Sequence, residues 1–355
     1  MSQSEALERI ERARRARRGR FYLNDERITL NHGAGGRASS VLIEGLFAEL
    51  LEMPPLEDAA RLVAGGERLA FTTDSYVVDP IFFPGGDIGC LAVHGTLNDL
   101  ATSGAEPLAL SLGVILEEGF PLADLRRVVE SAASAARQSG VPIVTGDTKV
   151  VPRGKCDRIF LNTTGVGRIV HGHALSLGSA RPGDRVLVSG PIADHGVTIL
   201  AARGDLQLEL GTVSDTAPVV AMALALVREL EEVHCLKDPT RGGVATSLNE
   251  LAAASGVAVA VDEAAIPVRP EVQGACELLG IDPLHVACEG RLLAVVPGPQ
   301  AERALAIMRG SAEGDGSALI GEILTEPEGM VFLRTRMGAT RVLDMLTGSP
   351  LPRIC

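Results

Sequence analysis

Short apolar runs rich in β-branched residues alternate with amphipathic segments along this 355-residue chain. The apolar runs are bounded by Gly, Pro or Asp, as strands are. The other segments repeat apolar residues at three- and four-residue spacing, as helices do. Strands are predicted at residues 68–73, 107–116, 141–145, 158–166, 184–189, 257–261 and 292–296, and helices at 38–52, 88–102, 121–139, 217–233, 243–255 and 300–309. The order is too irregular for one repeated βαβ unit, which favours an α+β fold over a doubly wound sheet.

A polar, glycine-rich stretch that contains Pro182 divides the chain into two parts. We predict an N-terminal domain over residues 22–172 and a C-terminal domain over 182–335. Residues 1–21 are predicted as a basic extension, because the first 20 residues carry seven Arg and three Glu. Residues 336–355, where the apolar pattern weakens, are predicted as a mobile tail.

The charge balance narrows the classes of function. The chain has 33 Lys and Arg against 45 Asp and Glu, a net charge of −12, which argues against a nucleic-acid binder or a binder of anionic membranes. It contains no Trp and only two Tyr, so base-stacking platforms are not expected. No apolar run is long enough to span a membrane. The six cysteines form no CxxC pattern, which argues against a zinc site or a disulfide scaffold and indicates the cytoplasm.

A glycine-rich string, HGAGGR, precedes the first predicted helix. Gly33, Gly35 and Gly36 would let backbone N–H groups approach an anion at the helix N-terminus. A plain turn is the alternative. A dinucleotide-binding fold is disfavoured, because the acidic residue expected about 20 positions later is missing.

Five acidic residues lie in glycine-rich turns or at predicted strand ends: Asp74, Asp87, Asp99, Asp147 and Asp238. Carboxylate oxygens together with phosphate oxygens are the ligands that Mg²⁺ takes. Each Asp taken alone is more typical of a helix cap or a turn. As a set, they predict a site for a magnesium-bound nucleotide.

Two further residues could take part directly in a reaction. Glu289, just before the predicted strand at 292–296, could act as a general base, although a surface turn fits its neighbours equally well. Cys355 is the last residue, and Pro350 and Pro352 keep the preceding segment extended. A thiol at the end of an arm could carry a chemical group between sites. The alternative is an exposed cysteine without function.

Together the strings HGAGGR, TTDSYVVDP, PGGDIG, GTLNDLATSGAEP, GDTKVV, DPTRGG, CEGR and the terminal PRIC resemble those of the HypE family. This family comprises nickel–iron hydrogenase maturation factors within the PurM/AIR-synthetase-like ATPase superfamily. The resemblance covers about residues 24–355. It implies a two-domain PurM-like α+β architecture with mixed or antiparallel sheets, packed helices and a flexible C-terminal tail, and a homodimer that binds ATP and Mg²⁺.

The resemblance also implies a reaction. A HypF-type carbamoyltransferase would carbamoylate Cys355, the chain would use ATP to dehydrate the thiocarbamate to a thiocyanate, and the cyanide would pass to iron on a HypC–HypD complex. The implied roles are catalysis by Cys355, Lys149 and Glu289, nucleotide binding by Gly33, Gly35, Gly36, Asp87, Asn98 and Thr148, and metal binding by Asp74, Asp99, Asp147 and Asp238.

Two alternatives remain open at this point. The chain could be another PurM-like kinase or synthetase whose tail is only a docking peptide. Selenophosphate synthetase, in the same superfamily, has its reactive Cys or selenocysteine near the N-terminus, whereas the first cysteine here is Cys90.

Overall fold

The computed structural model describes residues 25–204, 210–346, 348 and 353–355; the predicted extension 1–21 lies outside them. The α-helices in this part of the chain are α1 (Arg37–Leu42), α2 (Ile88–Thr102), α3 (Leu122–Gln138), α4 (Asp194–Ala202), α5 (Val220–Glu229), α6 (Gly243–Ser255), α7 (Pro270–Leu279) and α8 (Ala301–Arg309). A π-helical stretch, Ile43–Ala48, continues α1. None of the helices described is long and apolar enough to cross a bilayer.

The described strands are β1 (Ala60–Ala64), β2 (Glu67–Tyr76), β3 (Phe82–Phe83), β4 (Gly86–Asp87), β5 (Ala105–Glu117), β6 (Ile143–Val151), β7 (Ile159–Ile169), β8 (Arg185–Val188), β9 (Cys235–Lys237), β10 (Ala258–Asp262), β11 (Leu293–Val296), β12 (Ala318–Leu324), β13 (Met330–Arg334) and β14 (Thr340–Val342).

The first sheet has the strand order β1-β2-β7-β5-β6. Only the β5–β6 pair is parallel; the other neighbours are antiparallel. α2 and α3 cover one face, where Ile88 and Leu91 of α2 pack on Val114 and Leu116 of β5. The cap of α2 is local: Oδ1 of Asp87 accepts hydrogen bonds from the first-turn amides of the helix.

The second sheet has the order β14-β13-β10-β12-β8-β11-β9, with helices on both faces. Alternate residues of β8 and β11 point to opposite sides, since Val186 and Val188 join one buried cluster and Leu187 joins another. The first cluster contains α4, α6 and α7, and the second contains α5 and α8.

The predicted two-domain α+β architecture is confirmed. Two strands run further than expected, because Gly146 and the polar residues after Thr73 do not end them. Asp74 therefore lies inside β2 and Asp147 inside β6, rather than at strand ends. Within 336–355, predicted as a tail, β14 pairs with β13, and the Leu343 side chain after it is fully buried.

Candidate active site

Three carboxylates meet between the two domains. Asp58 lies just before β1, Asp99 on the last turn of α2, and Asp238 just after β9. Their nearest oxygens all lie within 4.8 Å of one another. Thr72 donates a 2.7 Å hydrogen bond to Asp99 Oδ2, and Lys237 forms an ion pair with Asp58. Asp58 was missed in the sequence, since it belongs to none of the glycine-rich turns.

The cluster carries more negative charge than its surroundings neutralise. Burial, and next the charge of Asp238, raise the pKa of Asp99 well above its usual range. Burial and the charge of Asp58 raise the pKa of Asp238 to about 7. Converging carboxylate oxygens with unfavourable mutual repulsion are a donor set that suits a hard divalent cation. The residues present therefore fit Mg²⁺.

Glu289 is buried beside this cluster, not on a surface turn. Its Oε1 has no hydrogen-bond partner among the described residues. Burial raises its pKa well above the usual range, and the charges of Asp74 and Asp238 add to the shift. Its backbone is fixed, because its N–H donates to Asp215 Oδ1 at 3.0 Å. A buried carboxyl with a free oxygen is suited to accept a proton from a bound group.

The Cys355 thiol lies in the same cleft. The backbone N–H of Val77 donates to an oxygen of the Cys355 terminal carboxylate at 3.0 Å, which sets the terminal residue beside the segment after β2. The thiol interacts electrostatically with Arg241, Glu289 and Asp74. Burial raises its pKa to about 12, although the guanidinium of Arg241 opposes the shift. In this position the thiol is protonated at neutral pH and is a poor nucleophile.

Arg241, which sequence reasoning did not single out, connects the thiol to the glycine-rich loop. Its Nη1 donates to the Gly33 carbonyl at 3.2 Å. Gly35 has φ +76°, and a Cβ placed there would lie 2.3 Å from Arg241 Cβ. Gly36 is the N-cap residue of α1. Only a glycine at 35 lets the loop lie directly against Arg241.

Three predicted residues lie elsewhere. Asp147, Thr148 and Lys149 are exposed on the edge strand β6, where Lys149 Nζ contacts Asp147 Oδ2 at 2.5 Å and lowers the pKa of Asp147. Lys149 pairs with Ile115, whose neighbours along β5 face α2. Asp147 and Lys149 are consequently on the open face of the sheet, away from the acidic cluster. Lys149, to which the resemblance assigns catalysis together with Cys355, therefore lies on the face of the sheet opposite to α2 within this chain.

Two other predicted ligands are engaged in structural contacts. Asp87 caps α2, accepting from Gly89 N at 2.8 Å and Cys90 N at 3.2 Å. Asn98 joins the domains: its amide donates to the carbonyls of Ala217 and Glu289 at 3.0 and 3.2 Å, and its Oδ1 accepts from the N–H of Val219 at 2.8 Å. Asn98 therefore helps to position Glu289. Asp74 is brought close to the site, as its influence on the Cys355 thiol and on Glu289 shows.

Comparison with known proteins explains why an acidic cluster, a buried glutamate and a C-terminal thiol occur together. Residues 56–169 match the N-terminal domain of AIR synthase related proteins, and residues 181–334 match the C-terminal domain. Over 339 residues the chain is 51% identical to the carbamoyl dehydratase HypE of Azotobacter vinelandii, covering 95% of this chain and 99% of the relative. The chain belongs to the HypE family.

Solved HypE structures agree with this assignment. A HypE in a HypE–HypF complex superposes with a TM-score of 0.82 at 45% identity, covering 86% of this chain and 99% of that one. A HypE in complex with ATP superposes with a TM-score of 0.79 at 49% identity, covering 93% of this chain and 100% of that one. The resemblance stated from the sequence motifs is confirmed.

Proposed function

We propose that this protein dehydrates a carbamoyl group carried on its own Cys355 with ATP, and so supplies a cyanide ligand for hydrogenase iron. The observation that carries the proposal is the position of the last residue. The thiol of Cys355 lies in the interdomain cleft, within electrostatic reach of Glu289, Asp74 and Arg241. A merely accidental terminal cysteine has no reason to lie partly buried beside those groups.

In the balanced reaction, the carbamoyl oxygen ends up in inorganic phosphate. The carbamoyl oxygen attacks the γ-phosphorus of ATP, the bond from that phosphorus to the bridging oxygen breaks, and ADP leaves. Both protons on the carbamoyl nitrogen are then removed, and the carbon–oxygen bond breaks. The products are S–C≡N and inorganic phosphate. Phosphorylation matters because phosphate is a far better leaving group than hydroxide.

The chain supplies a base and a cation for these steps. Glu289 has a raised pKa and a free oxygen, so its carboxylate is a stronger base than an exposed glutamate and suits removal of a nitrogen-bound proton. Arg241 lies beside the sulfur, where its guanidinium can stabilise negative charge on the phosphorylated oxygen.

The relative solved with ATP supports a nucleotide site here. Asp58, Asp99 and Asp238 would hold Mg²⁺, and the backbone amides of the loop at residues 33–36 would bind phosphate oxygens. Mg²⁺ supplies charge neutralisation of the polyphosphate during phosphoryl transfer. Asp74, beside this cluster, is retained as a further metal ligand.

We also propose a homodimer formed through the open face of the first sheet. That face carries Phe71 and Ile115, each more than two-fifths exposed, and the covered face already packs on α2 and α3. Exposed apolar side chains on a sheet face favour burial by a partner. In the dimer, Asp147 and Lys149 would lie at the interface. From there they could contribute to an active site that is completed by two subunits.

The predicted partners belong to this proposal as well. One relative was solved as a complex with HypF, which supports a HypF-type carbamoyltransferase as the donor; a HypC–HypD complex would accept the cyanide. Because Cys355 is partly buried in the cleft, its thiol has to leave that cleft to meet either partner. We keep the predicted domain limits of 22–172 and 182–335; residues 347 and 349–352 of the predicted tail lie outside the described part of the chain.

Intact mass spectrometry tests the proposal. The protein, incubated with carbamoyl phosphate, ATP and a HypF-type enzyme, should gain one carbamoyl group on the C-terminal peptide and then lose one water. Cys355→Ser should abolish both changes and keep nucleotide binding, whereas the control Cys156→Ser should behave as wild type. A docking peptide predicts no mass change and intact partner binding in the Cys355→Ser variant.

A further inference from the structure

The last three residues are held along one side of α4. At the beginning of the helix, His195 Nε2 lies 2.9 Å from the carbonyl oxygen of Ile354. At its end, Arg203 donates to the carbonyl of Arg353 at 2.8 Å and to that of Asp79 at 2.9 Å. The His195 side chain is fully buried. A nine-residue helix thus contacts the tail through a polar group at each end.

The direction of the hydrogen bonds at His195 is fixed by its partners. Ser214 Oγ, which contacts His195, accepts a hydrogen bond from the Thr216 backbone N–H at 3.1 Å, because that N–H can only donate. The hydroxyl proton of Ser214 can therefore be directed to His195. The Ile354 carbonyl can only accept, so His195 Nε2 must carry a proton. Burial lowers the pKa of His195 to about 4, so the ring is neutral and Nδ1 accepts from the Ser214 hydroxyl at 2.7 Å.

The same segment also holds the base. Ser214 contacts His195, and the next residue, Asp215, accepts the hydrogen bond from the Glu289 N–H at 3.0 Å. The Ser214 N–H donates to the Pro84 carbonyl at 2.9 Å, which ties the segment to the first domain. Ser214 and Asp215 therefore position the C-terminal tail and Glu289 relative to each other.

We propose that His195 is a positioning residue that latches the thiol-bearing tail in the cleft, with its tautomer set by Ser214. This inference rests on the proposed dehydration of a group on Cys355. The ring does not touch the reacting atoms. It donates to the peptide group immediately before Cys355, so its loss increases the fraction of molecules in which the thiol lies outside the cleft.

Two substitutions of His195 separate the effect of its N–H donor from the effect of its aromatic ring. His195→Phe retains an aromatic ring against Phe83, which packs edge-to-face on His195 at 5.6 Å, but it removes the donor. His195→Gln retains an N–H donor at a similar distance from the backbone. His173→Phe is the matched control, because His173 also contacts a backbone carbonyl, that of Val227 at 2.7 Å, away from the tail.

The first measurement is the alkylation rate of Cys355 by iodoacetamide, followed on the C-terminal peptide by mass spectrometry. One buried hydrogen bond is worth a few-fold to about tenfold in such an equilibrium. We expect His195→Phe to alkylate faster by up to that factor, and His195→Gln and His173→Phe to stay near wild type. Equal rates in His195→Phe and wild type would overturn the latch, as would a His195→Gln rate as high as that of His195→Phe.

The second measurement is the single-turnover loss of water from protein already carbamoylated on Cys355. One equilibrium sets both the open and the closed fraction of the tail, so the factor by which His195→Phe speeds alkylation and the factor by which it slows this step at saturating ATP should multiply to the few-fold to about tenfold worth of one hydrogen bond. Carbamoyl acceptance should stay at least as fast as in wild type. If wild type itself loses no water, the proposed function fails and the alkylation result still decides the latch. If His195→Phe does not fold, His195→Leu takes its place, because it also removes the donor to the Ile354 carbonyl; a wild-type alkylation rate in that folded variant would also refute the latch.

Discussion

Removal of one carboxylate from the acidic cluster should stabilise the protein when no metal is bound. Asp238 is buried, and its pKa is raised from 3.8 to about 7. Its unfolded-state pKa is close to the ordinary value, so the folded state binds the extra proton between about pH 4 and pH 7. The stability that this proton provides is complete below pH 4 and is lost as the pH rises through 7.

The size of the expected change in unfolding free energy follows from the pKa shift of Asp238. About three pKa units correspond to about 4 kcal/mol at pH 8, an upper value because the neighbouring carboxylates titrate together. Asp238→Asn has no such titration. We therefore expect the variant to exceed wild type in unfolding free energy by about 2–4 kcal/mol at pH 8, and by much less at pH 5.

The assay is urea unfolding in the presence of a chelator at both pH values. Asp147→Asn is the control, since that carboxylate is exposed and paired with Lys149, and it should show no gain at pH 8. Addition of Mg²⁺ should stabilise wild type and have a smaller effect on Asp238→Asn. If the gap between Asp238→Asn and wild type does not widen from pH 5 to pH 8, the assignment of uncompensated repulsion to this cluster is wrong.

Three further changes test other parts of the protein. Glu289→Gln should slow water loss from the carbamoylated protein by about a hundredfold or more without slowing carbamoyl acceptance, as intact mass would show. Gly35→Ala should weaken ATP binding about tenfold or more, measured by calorimetry, because a Cβ there meets Arg241 at 2.3 Å at a positive φ; Gly33→Ala, with open space around it, should bind normally. A chain that begins at Tyr22 should keep its ATPase rate and its melting temperature; a folding defect would show that the extension is structural.

Local signals in the sequence predicted part of the elements: the strands β1, β3, β4, β9, β12, β13 and β14 and the helices α4 and α7 were not predicted. The bounds of α2 follow from the capping side chain of Asp87 and from the apolar spacing after it, and α6 is bounded by glycines at positive φ. The cluster was harder to predict. Asp58 has no local signature, and only the pairing of β1 with β2 and the packing of the two domains bring it to Asp99 and Asp238.

The strand that carries Asp147 and Lys149 was predicted too short. Gly146 resembles the end of a strand, so the residues after it were expected to project into a cleft. The strand continues to Val151, because β5 offers hydrogen-bonding groups along its whole length. Alternation within β6 then decides which face each side chain occupies, and a sequence cannot reveal which face is left open until the neighbouring strands are known.

The placement of Cys355 on the same polypeptide as its cleft makes catalyst and substrate one molecule. The 12 residues from Asp344 to Cys355 span at most about 40 Å, and a short tether of this kind gives a local thiol concentration on the order of millimolar. Dilution should leave the rate constant of dehydration unchanged as long as each tail enters its own cleft. A rate that falls on dilution would instead mean that neighbouring molecules exchange tails.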